Sequence, residues 1–127
     1  MIGYIDSSTI VDRAVGIARG EAANLAGDVA ADRLVSSAIT IVEVSRVLTR
    51  IAPDPDVEDI VTSALASVEL VALASVTLVV AARLPVRFLK TLDSLHVASA
   101  LLVGADVVIT EDRQMARACA ELGLAVA

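Results

Sequence analysis

Four carboxylates stand where a predicted strand gives way to a helix, or just inside the helix: Asp6, Glu43, Asp93 and Asp112. Asp6 closes the apolar run Met1-Ile2-Gly3-Tyr4-Ile5, and Asp112 follows Val107-Val108-Ile109-Thr110. Glu43 and Asp93 interrupt the apolar helical segments Thr40-Ile41-Val42-Glu43-Val44 and Thr91-Leu92-Asp93-Ser94-Leu95. If the strands are parallel, their following ends share one edge of the sheet, the edge at which open α/β sheets bind ligands. Acids far apart in sequence could then share a pocket. Clustered carboxylates repel one another and call for a neutralising cation, and an all-oxygen donor set suits Mg²⁺ or Mn²⁺. Ser7, Ser8 and Thr110 lie beside the acids with hydroxyls able to fix a carboxylate rotamer, the kind of support that orients metal ligands.

Each of these residues also has a plainer account. Asp6, Asp93 and Asp112 are plausible helix N-caps. Glu43 precedes Arg46 by three residues, which suits an exposed ion pair on one helix, and the hydroxyls could close local turns. What favours a site is that all four acids fall at one expected edge. His96, three residues after Asp93, approaches the same helix face, but with no second histidine to complete an imidazole site a structural role is expected. Cys119, among small residues in a helix, is expected to be packed and inert.

The elements that must position these groups can be read from periodicity and breakers. Strands are expected over residues 2–5, 32–37, 68–73 and 106–110, with a short one at the C-terminus. Helices are expected over 7–14, 18–26, 40–51, 56–66, 75–84, 93–103 and 113–122. In the helix over 40–51, Val44, Val47, Leu48 and Ile51 recur at i, i+3, i+4 and i+7 and predict one buried stripe. Pro53-Asp54-Pro55 stops that helix, Pro85 closes the one before the basic loop 85–90, and Gly104 and Gly123 are natural C-terminal stops. Strands alternating with helices at these intervals predict an α/β fold, a parallel sheet sandwiched between helices.

The chain has 127 residues, the size of one domain, here residues 1–127. One cysteine excludes an intrachain disulfide, and the lack of Cys/His clusters excludes structural zinc. No secretion signal is read before Asp6, so a reducing, cytoplasmic setting is expected. Residues 60–82 carry only Glu69 as a charge and have the length of a membrane span. A mid-span acid costs about 2 to 3 kcal/mol on insertion, and helix, strand and helix explain the run better, since parallel strands are buried on both faces. No membrane association is expected. The net charge of −6 argues against generic nucleic-acid binding, but not against a nuclease whose acids are offset by a cation. With 57% hydrophobic residues, some apolar surface is expected to be buried against a partner. A groove is expected between the helices over 40–51 and 56–66, where Val42, Val57, Ile60, Val61 and Leu65 exceed what one core-facing stripe needs.

Taken in order, Tyr4-Ile5-Asp6-Ser7-Ser8, Glu43 in the helix after the second strand, Leu92-Asp93-Ser94-Leu95-His96-Val97-Ala98-Ser99-Ala100 and Thr110-Glu111-Asp112-Arg113 resemble the PIN domain, and more narrowly the VapC toxins of bacterial toxin–antitoxin pairs. The resemblance covers the whole chain. It implies a metal-dependent endoribonuclease, with Asp6, Glu43, Asp93 and Asp112 as the acids, Asp6 and Asp93 the surest ligands, and Thr110 in support. Glu111, beside Asp112, is an acid the pattern does not require. It also implies products with 5′-phosphate and 3′-hydroxyl ends, a cognate antitoxin and a homodimer.

The expected chemistry is hydrolysis of RNA phosphodiesters by a metal-activated water. Arg83, Arg87 and Lys90, just before Asp93, are candidates for contacts to the RNA backbone. The rival expectation is a catalytically inactive protein-interaction module of the same fold, which would gain nothing from clustered charge. A phospho-acceptor signalling domain needs a basic residue, usually Lys, after a late strand, and Lys90 falls in a loop instead.

Overall fold

The computed structural model describes residues 1–21, 31–51 and 56–127. Within them the chain runs β1 (Ile2–Ile5), α1 (Ser7–Ala18), β2 (Arg33–Ser37), α2 (Ile39–Ile51), α3 (Val57–Ala64), β3 (Glu69–Val71), α4 (Ser75–Ala82), α5 (Thr91–Leu102), β4 (Val107–Ile109), α6 (Arg113–Glu121) and β5 (Ala125–Val126). The strands pair in parallel in the order β3-β2-β1-β4-β5. Parallel neighbours cannot be joined by a tight turn, which is why helices intervene between these strands.

The strand order decides where a site can form. From β1 the chain winds outward through β2 to β3, then crosses to β4 on the other side of β1. The winding direction reverses between β1 and β4, and the crevice beyond the carboxyl ends of strands at such a reversal is where open sheets bind ligands. Asp6 and Asp112 follow the two strands that flank it.

Side chains alternate along a strand, so neighbours serve opposite layers. Ile5 and Ile109 pack with Ile10 and Ala14 of α1, Val44 and Leu48 of α2, and Val61 and Ala64 of α3. Tyr4 and Val108 pack with Val97 and Ala100 of α5 and with Met115 and Cys119 of α6. The Cys119 thiol is buried, and that burial pushes its pKa up to about 11, as suits a packed, inert cysteine.

The structure adjusts several expectations. α1 continues to Ala18 and is closed by Arg19, so the second helical piece does not begin at Ala18; the rest of that piece falls largely outside the described residues, as does Pro53-Asp54-Pro55. The buried stripe of α2 is Thr40, Val44 and Leu48, whereas Ile51 is 56% exposed. A threonine can face the core because its hydroxyl meets Ser36 Oγ at 2.9 Å. The apolar run over 60–82 is split by β3, and no helix among the described residues is long and apolar enough to cross a membrane. Gly104 and Gly123 end their helices at φ of 67° and 78° with open space where a Cβ would stand, so the left-handed backbone, not crowding, calls for glycine.

Candidate functional site

Asp6 is the best-held of the acids. It is the N-cap of α1, 3% exposed, with Oδ1 accepting from Ser8 Oγ at 2.7 Å and, over a long 3.5 Å, from the backbone N–H of Thr9. Its Oδ2 accepts from Thr110 Oγ1 at 2.6 Å. Thr110 in turn accepts from the Asp112 backbone N–H at 3.0 Å, and Ser8 Oγ accepts from the Glu111 N–H at 3.0 Å. Two hydroxyls thus lace the end of β1 to the end of β4 across the topological reversal. Burial pushes the Asp6 carboxyl above its ordinary range, opposed by the hydrogen bonds from Thr110 and Ser8.

Glu43 does not make the ion pair with Arg46 that their spacing allowed. Its Oε2 accepts from Ser7 Oγ at 2.9 Å, and its Oε1 lies 2.5 Å from His96 Nε2. His96 is 1% exposed and its Nδ1 is 2.7 Å from the Tyr4 hydroxyl. A neutral imidazole satisfies both contacts when Nε2–H donates to Glu43 and Nδ1 accepts from Tyr4. His96 is therefore a core residue, as expected, but one that grips an acid. Tyr4 was not anticipated in this support; a tyrosine and a histidine both placed in otherwise apolar segments are the signal that could have revealed it, because each needs a polar partner when buried.

Asp112 caps α6, its Oδ1 accepting from the backbone N–H groups of Gln114 and Met115 at 2.8 and 3.0 Å. Asp93 is not a cap. It lies in the first turn of α5, behind Lys90, and its carboxylate makes no hydrogen bond or ion pair among the described residues. The Asp93 pKa is raised, first by burial and then by the charge of Asp112, with smaller repulsions from Asp6 and Glu43 and a partial offset from His96. The charges of Asp112, Asp6 and Glu43 therefore reach Asp93.

A hard divalent cation suits this donor set: carboxylates and hydroxyls, mutually repelling, with no Lys or Arg ion-paired to Asp6, Asp93 or Asp112 among the described residues. Also among the described residues, no three acidic, imidazole or thiol groups stand close enough together to hold an ion as they are.

Arg83, Arg87 and Lys90 are all exposed, on the segment from the end of α4 to the N-cap of α5, and none contacts the four acids. The groove expected between the second-strand helix and its successor is present, about 710 Å³, lined by Ile41 and Ser45 of α2, by Val57, Val61 and Leu65 at α3, and by Leu70 of β3. Ile60 packs against the core instead, and Val42 faces a second, smaller groove on the other side of α2.

A family model described as PIN domain matches residues 4–121. Among solved structures, VapBC2 from Rickettsia felis, bound to a DNA fragment from its promoter, is 12% identical with a TM-score of 0.70, over 100% of this chain and 98% of that one. VapC20 from Mycobacterium tuberculosis, described as a Sarcin-Ricin loop cleaving toxin, is 16% identical with a TM-score of 0.66, over 91% and 94%. A toxin–antitoxin complex from Klebsiella pneumoniae is 18% identical with a TM-score of 0.65, over 90% and 89%. At such identities the likeness is one of fold. No relative among curated proteins matches the chain by sequence.

Proposed function

The chain belongs to the PIN-domain family, and from that premise we propose that it is a divalent-metal-dependent endoribonuclease, the VapC-like toxin of a toxin–antitoxin pair, hydrolysing RNA phosphodiesters. One observation supports the reading above others: Asp6 and Asp112 follow the strands that flank the reversal, joined through Ser8 and Thr110, and the charges of Asp6, Glu43 and Asp112 all reach Asp93. A structural scaffold gains nothing from such repulsion.

In this reading Asp6 and Asp93 hold the cation, Mg²⁺ or alternatively Mn²⁺, with Glu43 and Asp112 completing or orienting the site. When bound, the cation supplies Lewis acidity, lowering the pKa of water and offsetting charge on phosphoryl oxygens. Ser8 and Thr110 keep Asp6 in one rotamer, Ser7 and His96 do the same for Glu43, and the α6 N-terminus holds Asp112. Arg83, Arg87 and Lys90 contact the RNA backbone. The groove between α2 and α3 receives an amphipathic segment of the antitoxin, and the exposed Val76, Leu78 and Val79 of α4 supply apolar surface for a homodimer. The protein acts in the cytoplasm.

The second reading, an inactive interaction module, is favoured by one fact: no three candidate ligands are gathered tightly enough to hold an ion as they stand, among the described residues. Incubating the purified chain with total RNA, in Mn²⁺ and in EDTA, decides between them. Cleavage in Mn²⁺ that EDTA and Asp93→Asn both abolish supports the nuclease; intact RNA under all conditions supports the module.

A further inference from the structure

α2 presents three faces. Thr40, Val44 and Leu48 enter the core, Ile41 and Ser45 line the large groove, and the remaining stripe of Val42, Glu43, Arg46, Val47 and Arg50 lines the smaller groove of about 310 Å³, closed on its far side by Leu92 of α5. Glu43 belongs both to this groove and to the candidate acids, so the groove adjoins the candidate site at that residue.

We propose that this groove is the subsite for the stretch of single-stranded RNA flanking the scissile phosphate, with Arg46 and Arg50 holding its next phosphates. The inference rests on the nuclease reading and deepens it. Arg46 and Arg50 are exposed, and neither forms an ion pair among the described residues; the partner that Arg46 would take from its own helix, Glu43, is held by Ser7 and His96. Two like charges at i and i+4 destabilise a helix. Arg50 is offset by the helix C-terminus it sits in, whereas Arg46 has no such compensation. An anion between them supplies it.

Spacing and shape favour RNA as that anion. Four helical residues rise about 6 Å, comparable to the separation of successive phosphates along a strand, so Glu43, Arg46 and Arg50 form a track leading away from the acids. Val42 and Leu92, 57% and 46% exposed, give an apolar wall against which a sugar or an unstacked base can lie. No aromatic platform lines the groove, so binding there rests on the phosphate contacts of Arg46 and Arg50, which carry no base identity.

The test uses the full chain. Cleavage of total RNA in Mn²⁺ and in EDTA checks the underlying reading. Binding of a fluorescein-labelled, random-sequence single-stranded oligoribonucleotide, followed by anisotropy against salt in an Asp93→Asn background, checks the subsite. Arg46→Ala and Arg50→Ala should each weaken binding roughly fivefold and reduce the slope of log affinity against log salt by about 0.7. Arg46→Lys should keep the slope, and Arg19→Ala, at the far end of α1, should leave both unchanged. If RNA is cleaved but both arginine variants match the parent in slope and affinity, the subsite is wrong and the nuclease reading stands. If they weaken the complex with a co-expressed protein partner and leave RNA binding intact, the groove serves a protein and the proposal fails. A wild-type chain that cleaves no RNA overturns both.

Discussion

His96 Nε2 lies 2.5 Å from Glu43 Oε1 while its other ring nitrogen meets the Tyr4 hydroxyl at 2.7 Å. A buried pair in the core thereby sets the rotamer of an acid at the site. Replacing His96 by Gln removes the buried ring and its 2.7 Å contact with the Tyr4 hydroxyl. A buried hydrogen bond contributes about 1 kcal/mol, so His96→Gln should lower the melting temperature. Cleavage measured where the variant is still folded should fall less than in Asp93→Asn, since the histidine acts only through Glu43. A histidine variant as inactive as Asp93→Asn while fully folded would assign His96 a direct part in the chemistry.

Asp93→Asn is nearly isosteric and removes one ligand charge. Metal-site electrostatics typically carry several kcal/mol, so cleavage should fall at least about tenfold with the fold intact. Mg²⁺ or Mn²⁺ should raise the melting temperature of the wild type, and this shift should shrink in the variant. Equal shifts in both proteins would remove Asp93 from the site. Products with 5′-phosphate and 3′-hydroxyl ends are expected; a 2′,3′-cyclic phosphate would point to a different mechanism.

The pH dependence follows from the sign of the carboxylate shifts. Asp6 and Asp93 both have folded pKa values raised above their ordinary 3.8, chiefly by burial. The folded state therefore binds more protons than the unfolded one between the ordinary and the raised values, and stability falls as pH rises through that window. Metal-free protein should become more stable as the pH is lowered from neutral into that window, and Asp93→Asn should flatten the trend. Chelated wild type whose melting temperature rises with pH across the window would contradict the burial argument.

How much of this was legible in the sequence differs by element. Apolar runs bounded by Gly, Pro and acids marked the strands; the central β1 and β4 are buried as that signature implies, whereas the edge strands β3 and β5 are largely exposed. The acid positions were equally legible, since each interrupts or closes such a run. The partners of Glu43 were not: Arg46 is its neighbour along one helix, whereas His96 and Ser7 approach from other elements, and local spacing carries no information about that choice. The stripe of α2 was misread at Ile51 because periodicity gives a face but not where the helix outruns the core. The basic stripe of Arg46 and Arg50 is visible in the same periodicity once the core face is fixed by Thr40, Val44 and Leu48.

Thr110 offers a cleaner probe of second-layer support than any acid. Its hydroxyl donates to Asp6 Oδ2 at 2.6 Å and accepts from the Asp112 N–H at 3.0 Å, so one oxygen serves two of the acids. Removing outer partners of metal ligands typically costs about 10- to 100-fold in metal affinity or activity. Thr110→Val should reduce cleavage and raise the Mn²⁺ concentration needed for half-maximal rate, while Thr110→Ser should keep most of both. A valine variant with the wild-type metal requirement would show that Ser8 alone suffices to hold Asp6.

The apolar groove between α2 and α3 can be separated from catalysis because it lies away from the acids. Val57, Val61 and Leu65 line it, yet Val61 is buried while Val57 and Leu65 are only partly so. The latter two are therefore the positions where a charge reaches the groove at least cost to the core. A partner helix that buries its apolar face there would meet an unpaired carboxylate in Val57→Asp or Leu65→Asp, a desolvation penalty of several kcal/mol. Both variants should lose the co-expressed cognate partner on affinity purification and size-exclusion chromatography while still cleaving RNA in Mn²⁺. Wild-type chain expressed alone should be poorly soluble or toxic, and soluble and inactive with its partner. A soluble monomer that tolerates both aspartates and keeps its partner would place the docking surface elsewhere, leaving the argument for the acid site as it stands.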